Sequence, residues 1–168
     1  MNSVRFAGAS DGEPAPGVID AIVSADAVLI APSNPITSIG PILAVPGIRE
    51  ALQRARGKIA AISPIVGNAP IAGPAGILMA AQGLPCSIGG VAQAYEDFLD
   101  FLICDTRDAR TAEALRKNGL RVQCTQTIMR SSEDKAALAR EVLSFVAAAP
   151  RVEPQHHGAA LRHLDPKP

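Results

Sequence analysis

The segment Ala27-Val28-Leu29-Ile30-Ala31-Pro32-Ser33-Asn34-Pro35-Ile36-Thr37-Ser38-Ile39-Gly40-Pro41 constrains the fold of this 168-residue chain more than any other. Its first five residues form an apolar run too short for a helix and closed by a proline, which predicts a buried strand. Ser33, Asn34, Thr37 and Ser38 then bring hydroxyls and an amide to the place where the strand gives way to a helix start. Unpaired backbone N–H groups and the helix dipole at such a junction stabilise an anion, most often a phosphate.

The same alternation recurs along the chain. Residues 4–6 form a short strand candidate and 11–16 a Gly/Pro/acid loop, while Val18, Ile19, Ile22 and Val23 give residues 17–24 a helical stripe. Pro41 and Pro46 divide the next stretch into a short helix after Thr37 and a second over residues 47–54. A strand is predicted at 58–63, a Pro/Gly-rich loop at 64–73, and a helix at 74–82 with Pro74 in its first position. Residues 87–90 open a segment running over 91–99. Residues 101–104 read as a strand ending at Asp105, and 106–117 as a helix stopped by Asn118-Gly119. A strand at 120–124 precedes a last helix from Ser131 to about Ala148, with Asp134 completing a capping-box pattern. Strands alternating with helices predict an α/β domain with a mainly parallel sheet. Residues 150–168, rich in proline, are read as a disordered tail holding His156, His157 and His163 as solvated side chains.

Composition removes several classes of function. Sixteen basic and sixteen acidic residues cancel, and aromatics are 3% of the chain. There is thus neither a field nor a stacking platform for nucleic acid. No apolar run reaches the roughly 20 residues that span a bilayer, and MNSVRFAGAS lacks the pattern of a signal peptide. A cytoplasmic location is the expectation. Cys86, Cys104 and Cys124 show no metal-ligand spacing and read as buried free thiols.

In a parallel sheet, ligands bind outside the carboxyl ends of the strands. Those ends carry Ser33-Asn34, then Ser63 through Gly67-Asn68, then Asp105-Thr106, then Thr125-Gln126-Thr127, each small, polar or glycine-containing. The other edge carries ordinary stops, Arg56-Gly57 and Asn118-Gly119. No Ser-His-Asp set and no Lys after a GxxxxG accompany the polar rim, so it reads as a phosphate or nucleotide cradle. Asp105 is either a metal or substrate carboxylate or the cap of the next helix. Arg130 is either a phosphate contact or an exposed helix-start arginine. Tyr95-Glu96-Asp97-Phe98-Leu99-Asp100 is either an amphipathic helix end or a wall for a flat ring, with Asp97 or Asp100 binding a group on it.

At these residues the chain closely resembles the 2-phospho-L-lactate transferase (CofD) family of coenzyme F-420 biosynthesis. The matching segments are VRFAGA, PAPGVIDAI, ADAVLIAPSNPITSIGPILAVPGIREAL, ISPIVGNAPIAGPA, YEDFLD, DTRDA and CTQTIMRSSEDKAALAREVL, in family order from Val4 to about Leu143. The resemblance implies a Rossmann-like three-layer sandwich, of which residues 1–149 are the C-terminal portion. It also implies transfer of a phosphorylated three-carbon acid, 2-phospho-L-lactyl or enolpyruvyl phosphate. The donor is a guanosine-diphosphate-linked acid, the acceptor the deazaflavin precursor Fo, with GMP released and magnesium required. Carried over by motif, Ser33, Asn34, Thr37 and Ser38 approach the donor or acceptor, Ser63 and Gly67 line the neighbouring loop, and Thr125 and Thr127 the last one.

Three features depart from that pattern. Family members are about twice as long, and the aspartates that look like magnesium ligands belong to their N-terminal half. Gln126 stands where an Asp is usual, and Gly76-Ile77 where Asp-Lys is common. Partners expected on this reading are the missing N-terminal half or a second copy of the chain. Two other readings remain: a non-catalytic nucleotide-sugar-binding module of the gluconeogenesis-factor type, and an inactive fragment.

Overall fold

The computed structural model describes residues 4–55 and 58–149. Four parallel strands, β1 (Ala27–Ile30), β2 (Lys58–Ile62), β5 (Phe101–Asp105) and β6 (Arg121–Thr125), form a sheet in the order β1-β2-β5-β6. Because all four run the same way, their carboxyl ends open on one edge. Helix α1 (Val18–Ser24) precedes β1; α2 (Gly40–Leu43), α3 (Ile48–Arg54), α4 (Ala75–Ala81), α5 (Ile88–Ala94) and α6 (Ala109–Lys117) lie in the connections between strands, and α7 (Ser132–Ala148) follows β6. The predicted α/β class with a mainly parallel sheet is what the chain adopts.

Strand β5 explains the layering. All five of its residues are buried, and successive side chains point to opposite faces. Leu102 and Cys104 enter a core built with Ile48 and Leu52 of α3, Leu78 and Met79 of α4, Val91 of α5 and Leu115 of α6. Phe101 and Ile103 enter a second, smaller core with Leu138, Val142 and Val146 of α7. Those three lie four residues apart, one helical face. Full burial of each such side chain contributes about 1.5–3 kcal/mol, which fixes α7 against the sheet. The result is three layers: helices, sheet, helix.

Helix α7 is set at both ends. Ser131 accepts from the Asp134 N–H while Asp134 accepts from the Ser131 N–H, the predicted capping box, typically worth about 1 kcal/mol. At the other end the Lys58 ammonium donates to the carbonyls of Val146 and Ala149. That cation stands where the helix dipole is negative.

Several boundaries differ from expectation. Residues 4–6 are not a strand; Phe6 packs over Gly40 instead. The helix after β1 begins at Pro35 rather than after Thr37, because Asn34 caps it and Pro35 occupies the first position. Its first turns, Pro35–Ile39, are wide, and α2 continues them. The 64–73 loop holds a small hairpin, β3 (Ile65–Val66) with β4 (Ala69–Pro70). Its two turn residues, Gly67 and Asn68, both have positive φ, 60° and 62°, the twist that joins antiparallel strands tightly. Helix α5 is capped by Ser87 and stops at Ala94. Residues 106–108 are a tight single turn before α6. The tail 150–168 with its histidines, and Arg56-Gly57, lie outside the described residues.

Candidate functional site

The polar rim assembles from four loops leaving the same sheet edge, but its members have different roles. Asn34 Oδ1 accepts from the N–H groups of Ile36 (2.9 Å) and Thr37 (3.3 Å). Those helix-start donors, expected to be free, are therefore occupied by the chain's own cap. Ser63 is buried, its hydroxyl donating to the Ile65 carbonyl and accepting from the Ile65 N–H, at 3.0 and 3.1 Å. The Gly67 N–H is held by both oxygens of buried Asp108, at 3.1 and 3.0 Å. Thr127 is buried against Asp105. Asn34, Ser63, Gly67 and Thr127 thus shape the rim.

Thr37 and Ser38 are exposed at the start of the helix after β1 and Ser33 is half-buried just before it, while Thr125 is half-buried at the end of β6, the outer strand on the other side of the sheet. Gln126 is exposed next to Thr125. Ile77, where the resemblance would place a lysine, is 68% exposed on α4. Arg130 begins the approach to α7 and gives its backbone N–H to Asp134 at 2.8 Å.

Asp105 is the organising group of the edge. At 1% exposure its carboxylate accepts from the N–H and Nε of Arg107 through Oδ1, at 3.1 and 3.0 Å. Oδ2 accepts from the N–H and hydroxyl of Thr127, both at 3.3 Å. Burial pushes its pKa up, but the Arg107 and Thr127 N–H groups and the guanidinium outweigh burial and hold it below the usual carboxylate range. Of its two sequence readings, the cap of the following turn is the one realised. Its partner Arg107, which sequence reasoning passed over, is 57% exposed at the side chain. One edge of that guanidinium is fixed to Asp105, and the remainder faces the solvent at the rim.

Magnesium does not fit the carboxylates present at this edge. Asp105 and Asp108 already have both oxygens engaged by N–H donors, and the described residues contain no group of three or more potential ligands.

The YEDFLD segment, for which the sequence leaves a helix end and a ring wall open, is tied into the fold by its side chains. Tyr95 and Phe98 are buried and stack at 5.6 Å. Asp97 binds Arg49 Nε at 3.0 Å and Gln53 Nε2 at 2.7 Å, and Asp100 accepts from the Ile59 N–H at 2.9 Å. Burial drives the Tyr95 phenol well above its usual range, against a weaker pull from Arg49. It stays neutral at any physiological pH. Tyr95 and Arg49 also line an apolar cavity of about 370 Å³ beneath the helix after β1, together with Phe6, Ile36 and Leu43. No helix among the described residues is long and apolar enough to cross a membrane.

A family model described as 2-phospho-L-lactate transferase CofD matches residues 1–144. The chain is 46% identical over 142 residues to the 2-phospho-L-lactate transferase of Methanosarcina barkeri, covering 84% of this chain and 45% of that protein. It is 44% identical over 139 residues to the phosphoenolpyruvate transferase of Streptomyces griseus, covering 82% of this chain and 44% of that one. Among solved structures, a UPF0052-family protein of Bacillus halodurans superposes with a TM-score of 0.53 at 18% identity. That superposition covers 77% of this chain and 47% of the other and is a likeness of fold alone. The chain spans less than half the length of the curated relatives it matches.

Proposed function

The chain belongs to the 2-phospho-L-lactate transferase CofD family, and from that premise we propose that its rim is one wall of a transferase site serving coenzyme F-420 biosynthesis. The site moves a phosphorylated three-carbon acid from a guanosine-diphosphate-linked donor to the deazaflavin precursor Fo. The acceptor hydroxyl oxygen bonds to phosphorus, the bond from that phosphorus to the GMP oxygen breaks, and the hydroxyl proton is released. Such a reaction depends on positioning and on neutralising diphosphate charge rather than on a covalent nucleophile.

The observation that carries this reading is the Asp105–Arg107 pair at the edge where four parallel strands end. A buried carboxylate fixes one side of a guanidinium and leaves the rest to meet an anion, a geometry suited to phosphate. Ser33, Thr37, Ser38 and Thr125 add hydroxyls along the same edge, and Asn34, Ser63, Gly67 and Thr127 hold the loops that present them.

The wall is shared. Ile42, Ile71, Ile77 and Met129, all on segments that follow strand ends, are exposed, and Leu29 is 42% exposed on edge strand β1. Apolar surface of this kind supports cover by a further segment, and the relatives' extra length can supply one. Magnesium, implied by the family resemblance, is then held by residues outside this chain.

The test is reconstitution. Supplied with Fo, a GDP-linked donor and magnesium, the chain alone should give no product, and the chain joined to the complementary segment of a relative should give it. Turnover by the isolated chain would contradict the shared site. Nucleotide binding without turnover in the joined protein would identify a non-catalytic module instead.

A further inference from the structure

Cys104 and Cys124 are register partners on adjacent parallel strands, and their sulfurs lie 3.6 Å apart. Neighbouring strands run about 4.8 Å apart, inside the roughly 4.4–6.8 Å Cα separation that a disulfide spans. The pair is chemically unequal. Cys104 is fully buried in the larger core, whereas Cys124 is half-buried and receives the Arg116 Nη2 at 3.4 Å. Cys124 is thus the sulfur of the pair that a reagent from solvent reaches first, with a cation fixed against it. The same Arg116 is anchored by its Nε to the Val122 carbonyl at 2.9 Å, so its position relative to Cys124 is set by α6 and β6 together. Cys86, the remaining thiol, sits elsewhere, against Gly76 of α4.

We propose that Cys104 and Cys124 form a dithiol that hydrogen peroxide closes to an intrachain disulfide, tying β5 to β6 one residue below the rim pair Asp105 and Thr125. The Cys124 thiolate attacks the peroxide: an S–O bond forms, the O–O bond breaks, and hydroxide leaves as water after taking a proton. The Cys104 sulfur then attacks the Cys124 sulfenic acid. The S–S bond forms, the S–O bond breaks, and water departs with the Cys104 proton. Two thiols are oxidised and one peroxide is reduced to two waters. Cys124 is the attacking residue because it is the more exposed and bears the cation, and Cys104 is the resolving one.

The inference stands apart from the transferase reading and is tested on the whole chain. In a Cys86→Ser background, hydrogen peroxide should remove two hydrogens from the intact mass. Peptide mapping without reductant should find the Cys104 and Cys124 peptides joined. Arg116→Gln should slow closure about ten-fold. Cys104→Ser should instead leave Cys124 as a sulfenic or sulfinic acid, with no loss of two hydrogens. The proposal is overturned if the unsubstituted pair accumulates Cys124 oxyacids while Cys104 stays a free thiol. It is equally overturned if both thiols persist in the folded chain under peroxide that oxidises free cysteine.

Discussion

Gly90→Ala should cost the fold about 3 kcal/mol, the upper end for overpacking a core, and leave little folded protein if the chain is only marginally stable. A Cβ at Gly90 would lie 1.9 Å from the Pro85 carbonyl oxygen and 3.0 Å from Met79 Cε. The methionine end can swing aside, but the carbonyl belongs to the backbone that leads into the Ser87 cap. Relieving the clash means moving α5 away from the turn that starts it, and with it Ile88 and Val91 from the larger core. The adjacent Gly89→Ala is the control. Its Cβ would meet only the Ser87 hydroxyl, at 3.4 Å, and alanine is the better helix former by up to about 1 kcal/mol. Urea midpoints of the two variants should therefore move in opposite directions, or Gly89→Ala should stay level while Gly90→Ala falls. Equal behaviour would show that the close approach at residue 90 is not a constraint.

Asp105→Ala should be the most damaging change at the rim, at about 3 kcal/mol, because it strands buried donors rather than removing one contact. The Thr127 N–H and hydroxyl lose their acceptor in a buried site, while the exposed Arg107 side chain can turn to water. Asp105→Asn keeps the shape but sets an amide NH₂ against donors, so it should lie between wild type and alanine. The pH dependence follows from the lowered folded pKa of Asp105. A depressed carboxylate contributes its full stability above the unfolded-state value, about 4. That contribution is lost as pH falls through the lower, folded pKa. The stability gap between wild type and Asp105→Asn should thus be constant near neutrality and narrow only below about pH 4. A gap that widens with acid would contradict the assignment.

Much of the layout is legible in local sequence. Short apolar runs bounded by turn residues marked all four sheet strands, and Ser131 with Asp134 marked the start of α7. Asn34-Pro35 also carried a local signal, a cap followed by proline, although the helix was expected three residues later. The β3–β4 hairpin was missed because each strand is two residues long, below the span over which alternation can be read. Gly67-Asn68 was its only trace, a pair suited to a turn with two positive φ values.

The site was less legible than the fold, since its decisive contacts join residues distant in sequence. Asp108 holds Gly67, Asp105 holds Thr127, and Asp97 holds Arg49. Asp105 and Asp97 look like candidate ligands until their partners are known, and Asp108 carries no signal in the sequence at all. Arg107 was overlooked for the converse reason: alone it is an ordinary exposed arginine, and only its tie to a buried carboxylate gives it a fixed direction. Cys104 and Cys124 read as two separate core thiols because strand order, not spacing, brings them together.

The central claim is that one edge of the sheet is the contact edge and the other is not. The direct measurement is GDP affinity, by calorimetry, in the joined protein made of this chain and the complementary segment of a relative. Arg107→Met, and Ser33→Ala combined with Asn34→Ala, should each weaken GDP by roughly 10- to 100-fold, the range for losing hydrogen bonds to a charged group. Lys117→Ala, which removes an exposed cation at the end of α6 on the opposite edge, should leave affinity unchanged. Rim variants that bind GDP as well as wild type does, or a Lys117 variant that loses as much as they do, would contradict the account.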